Sequence, residues 1–174
     1  MDTLVLIPHI EVQRRVEDYR EGLFREGFLG AHSLPVCAPI ALLSRPFSGE
    51  ELKALAENIR EQSLGSEGKI IGGDTVKGEL GEVEGTHLKL LGPALNLNFD
   101  DRALPAPGKI LSIINRPCIC ASVIREEPNL DSLKPLRLSF RAAFVANLKL
   151  RALDETGYSF SWTIGKGAWL RKYS

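Results

Sequence analysis

The chain has 174 residues, 44% apolar and 25% charged, proportions that exclude a disordered chain and suffice for one domain, residues 1–174, with its own hydrophobic core. Its 22 basic and 22 acidic residues balance, so no net field draws it to nucleic acid or to an anionic membrane surface. No stretch approaches the ~20 apolar residues that a bilayer-spanning helix needs, which excludes a membrane role for helices.

The balance is uneven along the chain. Residues 137–174 hold seven basic residues against two acidic ones, a surplus of five that residues 1–136 offset. A basic C-terminal segment suits a phosphate-bearing ligand, and it equally suits a solvated surface. The opening MDTLVLIPHIEV has no cationic start, and its apolar run is too short for a signal peptide. Three cysteines argue against a disulfide framework and for a reducing compartment, so the expected location is cytoplasmic.

In chain order, residues 3–7 (TLVLI) form an apolar run that reads as a buried strand ended by Pro8. Val12, Val16, Tyr19 and Leu23 then fall on one face of a helix closed by Gly27 and Gly30. Residues 36–43 (VCAPIALL) read as a second strand. Ser48 and Glu51 form a capping box at the start of a second helix whose buried stripe is Leu52, Leu55, Ala56 and Ile59.

From Gly65 the pattern changes to short strands at 69–75, 86–91 and 94–99, separated by glycine-rich turns. In the last of them Leu95, Leu97 and Phe99 alternate with Asn96 and Asn98. Residues 100–108 read as a loop. Residues 110–114 and 119–124 flank Pro117 as two strand segments or as one strand with a bulge. The end of the chain reads as a hairpin. Phe144, Ala146, Leu148 and Leu150 alternate with Val145, Asn147, Lys149 and Arg151; beyond a turn at 154–157, Tyr158, Phe160, Trp162 and Ile164 alternate with Ser159, Ser161 and Thr163. Each strand should have an apolar face for the core and a polar face.

These segments, in this order, resemble the 2H phosphoesterases, the superfamily of the 2′-5′ RNA ligase-like and cyclic phosphodiesterase proteins. The resemblance runs through TLVLIPHIEVQRRVEDYREGLFREG, APIALLSRPFSGEELKALAENIRE, RPCICASVIREEP and FVANLKLRALDETGYSFSWTIGKGAWL, somewhat more than half of the chain. Between Phe99 and Pro117, where members have a helix, none is evident. The resemblance implies an α+β fold of two lobes, antiparallel sheets backed by helices around a central cleft.

In that family two His-x-Thr/Ser motifs face each other, one imidazole acting as base and the other as acid, roles that need a pKa near neutrality. The first motif aligns with Pro39-Ile40-Ala41 and the second with Cys118-Ile119-Cys120. Proline and alanine move no protons, and cysteine is a poor acid–base substitute, so no catalytic residue is assigned. Of the three histidines, His9 follows the first strand and His87 sits in the middle region. The hydroxyl of Ser33 is one residue from His32, not two, and does not fit the motif.

The resemblance would put Pro39, Ala41, Cys118, Cys120, Lys149, Arg151 and Tyr158 around the former cleft. Cys37 shares a face with the first motif, so the thiols could meet a soft metal there; the plainer reading is that they fill a buried face, with no metal and no cofactor. Lys149, Arg151, Ser159, Ser161 and Thr163 could donate to phosphate, or simply form a solvated sheet face. The implied function is an inactive 2H-like protein that binds a phosphate-bearing small molecule, an RNA end or a protein partner. The alternative is a phosphodiesterase with other catalytic residues.

Overall fold

The computed structural model describes residues 1–61, 68–69, 76–83, 86–95, 104–114, 117–125, 129, 132–138, 142–154, 156 and 158–170. The protein is α+β, with antiparallel sheets and few helices. The chain opens β1 (Asp2–Pro8), α1 (Ile10–Arg25), β2 (Ala38–Leu43), α2 (Gly49–Glu61). The strands β3 (Gly68–Lys69), β4 (Val76–Val83), β5 (Thr86–Gly92), β6 (Ile110–Ile113), β7 (Ser122–Ile124), β8 (Arg137–Leu138), β9 (Ala142–Ala152) and β10 (Phe160–Trp169) follow.

Among the described residues these make a five-stranded sheet in the order β10-β9-β1-β2-β6, a three-stranded sheet β4-β5-β7 and a short pair β3-β8, antiparallel throughout. Both helices serve the five-stranded sheet. Leu4, Leu6 and Val145 on one face pack with Val12 and Val16 of α1 and with Leu52, Leu55, Ala56 and Ile59 of α2. The other face presents Val5, Ile7, Ala146 and Leu148 around Cys37. Farther along it, Leu150 and Ala152 join Leu90, Cys118, Cys120 and Val123, which brings the three-stranded sheet against this side.

Local chemistry sets the helix ends. His9 caps α1, its Nδ1 accepting from the Glu11 N–H at 3.3 Å. At the other end Gly27 takes φ +100°, Phe28 N–H returns to Leu23 C=O at 3.0 Å and Gly27 N–H to Phe24 C=O at 3.1 Å, the paired bonds of a Schellman closure. At α2, Ser48 Oγ accepts from the Glu51 N–H at 3.2 Å.

Several elements differ from the sequence expectation. Residues 76–83 form β4 where glycine-rich turns were expected, because Gly78 and Gly81 lie within a ladder against β5 that shifts register between Glu79 and Gly81. The second strand starts at Ala38 instead of residue 36. Within it the register against β1 shifts between Leu4 and Val5, beside Pro39, which has no N–H to give the ladder. The segments flanking Pro117 belong to different sheets, β6 to the larger and β7 to the smaller. The strand expected at 69–75 is seen only at its start, in β3. Of the strand expected at 94–99, Ala94 makes a single bridge to Cys118, and the alternating asparagines lie outside the described residues. In the expected loop 100–108, a 3₁₀ turn begins at Pro107. Trp162 and Ile164, expected on a core face, are 44% and 37% exposed because β10 is the sheet edge. No described helix is long and apolar enough to cross a membrane.

Candidate functional site

The four positions aligned with the lost motifs, Pro39, Ala41, Cys118 and Cys120, are all buried. They lie in the interior rather than on an open surface, and the Cys118–Cys120 segment meets the second strand at Cys37. The reason is backbone docking. Residues 117–121 run antiparallel to 91–95: Leu95 N–H donates to Pro117 C=O at 2.8 Å, Ile119 N–H to Pro93 C=O at 2.9 Å, and Ala121 N–H to Leu91 C=O at 2.8 Å. The same segment reaches the large sheet through Cys120 N–H, which donates to Cys37 C=O at 2.9 Å.

A buried arginine locks this junction. Arg20 continues the stripe of Val12 and Val16 and is 2% exposed. Its guanidinium donates to Leu34 C=O at 2.6 Å, Pro35 C=O at 3.2 Å and Cys120 C=O at 2.5 Å. Glu17 lies 3.6 Å away. All three cysteines are free and buried. Burial drives the Cys37 thiol well above its ordinary range, with Cys120 adding to the effect and Arg20 opposing it; burial likewise raises Cys120 against the pull of Arg20. Raised thiols are poor nucleophiles and poor metal ligands. Among the described residues no cluster of His, Cys, Asp or Glu has a metal-binding arrangement.

The histidines lie elsewhere. His32 sits 3.2 Å from Glu21 and 3.8 Å from Glu17, against the Phe24 ring at 5.5 Å. His87 lies in β5, in the smaller sheet.

The polar site lies on the helix-bearing face of the large sheet. Asp2 of β1, Lys149 of β9 and Thr163 of β10 are direct cross-strand partners, so their side chains stand in one row on one face. They line a cavity of about 430 Å³ together with Asn147, Gly165 and Lys166 and a wall formed by Pro46 and Phe47. Asn147 fixes that wall: its Oδ1 accepts from Phe47 N–H at 3.0 Å and its Nδ2 donates to Phe47 C=O at 2.8 Å. Lys166 enters because the β9–β10 register shifts between Ile164 and Gly167, a bulge that turns residues out of the ladder. Two lysines, a threonine and an aspartate thus line one cavity over a sheet floor. A second cavity of about 310 Å³ beside α1 is lined by Arg15, Asp18, Glu26 and Lys134, whose charges cancel.

Of the residues singled out by sequence, the structure brings Lys149 and Thr163 into the groove. Arg151 and Ser161 share its face one register step outward, and Arg151 is exposed. Tyr158 is elsewhere: it is half-buried, and its carbonyl accepts from Ser33 Oγ at 2.5 Å. Sequence reasoning missed Asp2, Phe47 and Lys166. The polar alternation of β9 was a signal, but their convergence follows from strand register and from a bulge, which no local pattern displays. Comparison of the chain with protein-family profiles, with curated proteins and with solved structures finds no match.

Proposed function

We propose that this chain is a two-lobed 2H phosphoesterase-like protein that no longer catalyses phosphodiester cleavage and instead binds a phosphate-bearing ligand, a small molecule or an RNA end. The order β1-α1-β2-α2, the closing hairpin and the contact of the Cys118–Cys120 segment with Cys37 support the kinship. The observation that carries the binding reading is the cross-strand row Asp2–Lys149–Thr163 with Lys166 beside it, in a cavity on a rigid sheet. Lysine ammonium groups and a hydroxyl suit phosphate oxygens, and Asp2 can accept from a ligand hydroxyl or amine. The motif-aligned positions supply no such chemistry, because they are buried and carry no imidazole.

Calorimetric titration with inorganic phosphate, nucleoside monophosphates and 2′,3′-cyclic nucleotides tests this reading. Binding should weaken as salt rises and should drop about tenfold in Lys149→Gln, the effect of losing one charge-assisted hydrogen bond of roughly 1.5 kcal/mol. None of these ligands should be turned over. Absence of binding by all three overturns the reading. Turnover that Lys149→Gln abolishes would establish instead a phosphodiesterase with other catalytic residues.

A further inference from the structure

Among the described residues the strand β10 is the outer strand of the large sheet, and its first half is built to pair again. Leu153 N–H donates to Ser159 C=O at 2.9 Å, which sets the phase of the β9–β10 ladder. By antiparallel alternation the backbone groups of Ser161 and Thr163 point inward to β9, while those of Phe160, Trp162 and Ile164 point outward. Edges of this kind are usually blunted by charge, proline or a bulge. Here the bulge and Lys166 come only after Ile164, so residues 160–164 are regular and uncharged.

The segment Phe160-Ser161-Trp162-Thr163-Ile164 has the same polarity pattern in both directions. A two-fold axis at Trp162 sets Phe160 opposite Ile164, Ser161 opposite Thr163 and Trp162 opposite itself. Apolar side chains then meet on one face and hydroxyls on the other, the self-complementarity that an isologous contact requires. Charge fits as well. No charged residues oppose each other along the paired segment, and Lys166 of each strand is carried toward the other copy's turn, where Asp154 is exposed.

We infer that residues 160–164 pair antiparallel with the same segment of a second copy of this chain, joining two five-stranded sheets into one and extending each groove across the axis. The row Asp2–Lys149–Thr163 continues into Ser161 and Arg151 of the second copy, because those two are themselves cross-strand partners on the same face. The pairing rests on the edge alone; the shared groove rests on the anion-binding reading.

Sedimentation equilibrium of the intact protein without ligand should give twice the chain mass of 19.2 kDa. Trp162→Pro removes an outward N–H while leaving the bonds to β9, and Trp162→Arg sets two cations face to face; both should sediment as monomers with an unchanged circular dichroism spectrum. Trp162→Cys should give a covalent dimer on oxidation, since such pairs hold Cα atoms about 5.5 Å apart, within disulfide reach. A monomeric wild-type protein overturns the pairing, as does a dimer that survives both Trp162→Pro and Trp162→Arg. Arg151→Gln should keep the dimer mass and weaken phosphate binding severalfold. A dimer whose phosphate affinity is unaffected by Arg151→Gln refutes the shared groove, whereas a dimer that binds no phosphate at all refutes the ligand reading and leaves the pairing standing.

Discussion

Asn147 and Phe47 are 100 residues apart in sequence and close a two-bond ring, the amide of one side chain satisfying both the N–H and the C=O of the other's backbone. The ring is buried and ties the loop before α2 to the middle of β9, so it fixes both the sheet–helix packing and one wall of the groove. Asn147→Ala leaves both Phe47 groups without partners. It should lower stability by about 2–4 kcal/mol, measured as a shift of the urea midpoint at constant slope. Asn147→Asp should also destabilise, because a carboxylate can accept from the N–H but only repels the carbonyl. A neutral outcome for both variants would mean that the wall is held by something else.

Much of the core was legible beforehand and the site was not, for a physical reason. The stripe Leu52, Leu55, Ala56, Ile59 and the runs that became β1 and β2 carry their own periodicity, so composition and spacing suffice. The row Asp2–Lys149–Thr163 depends on which residue faces which across strands far apart in sequence. Similarly, Gly78 and Gly81 read locally as turns and are strand residues only because β5 lies alongside. The plainer reading of the cysteines, that they fill a buried face, agrees with their burial. The contact of the Cys118 segment with Cys37 was not legible, since it follows from the docking of 117–121 on 91–95 through hydrogen bonds between segments far apart in sequence.

Glu51 gives a pH prediction. Its carboxyl accepts from Lys109 Nζ at 2.6 Å, and this bond, assisted by Ser48, holds its pKa below the ordinary glutamate range. A carboxyl lowered on folding contributes stability that is present above its unfolded pKa of about 4.3 and is lost as pH falls through the folded value. Urea midpoints should therefore fall on acidification below the ordinary range, and Glu51→Gln should flatten part of that slope. Asp154, lowered by its hydrogen bond with Thr156, contributes in the same direction, so some acid sensitivity should remain in Glu51→Gln.

Two glycines should respond oppositely to alanine. Gly22 lies inside α1 with nothing within 4 Å of an added Cβ, so Gly22→Ala should stabilise by about 0.5–1 kcal/mol through helix propensity. An added Cβ at Gly92 would overlap the backbone oxygen and carbon of Ile119, atoms that cannot swing aside. Gly92→Ala should force 117–121 off β5 and cost at least ~2 kcal/mol. Thermal melts of the two variants beside wild type check the pair; equal and small shifts would contradict the close docking of that segment.

The cysteine junction makes the last prediction. Cys37, Cys118 and Cys120 are at most 1% exposed, and burial raises the thiols of Cys37 and Cys120, whose thiolate would be the reactive form. Thiol reagents should label the native protein slowly and label all three sites on denaturation, at a native rate that follows the equilibrium population of open molecules. Arg20→Met separates structure from reactivity. It strips donors from three carbonyls and should destabilise by roughly 3 kcal/mol, which speeds labelling by raising the open population. It also removes the cation that draws both thiol pKa values down, so the thiols of molecules that remain folded should become less acidic. Elemental analysis should find no stoichiometric metal, because burial keeps the thiols of Cys37 and Cys120 protonated and Arg20 already sets a cation beside them. One zinc or copper ion per chain, released by Cys118→Ser, would overturn this account and make the junction a metal centre. Fast native labelling without loss of stability would show instead that the 117–121 segment opens by itself.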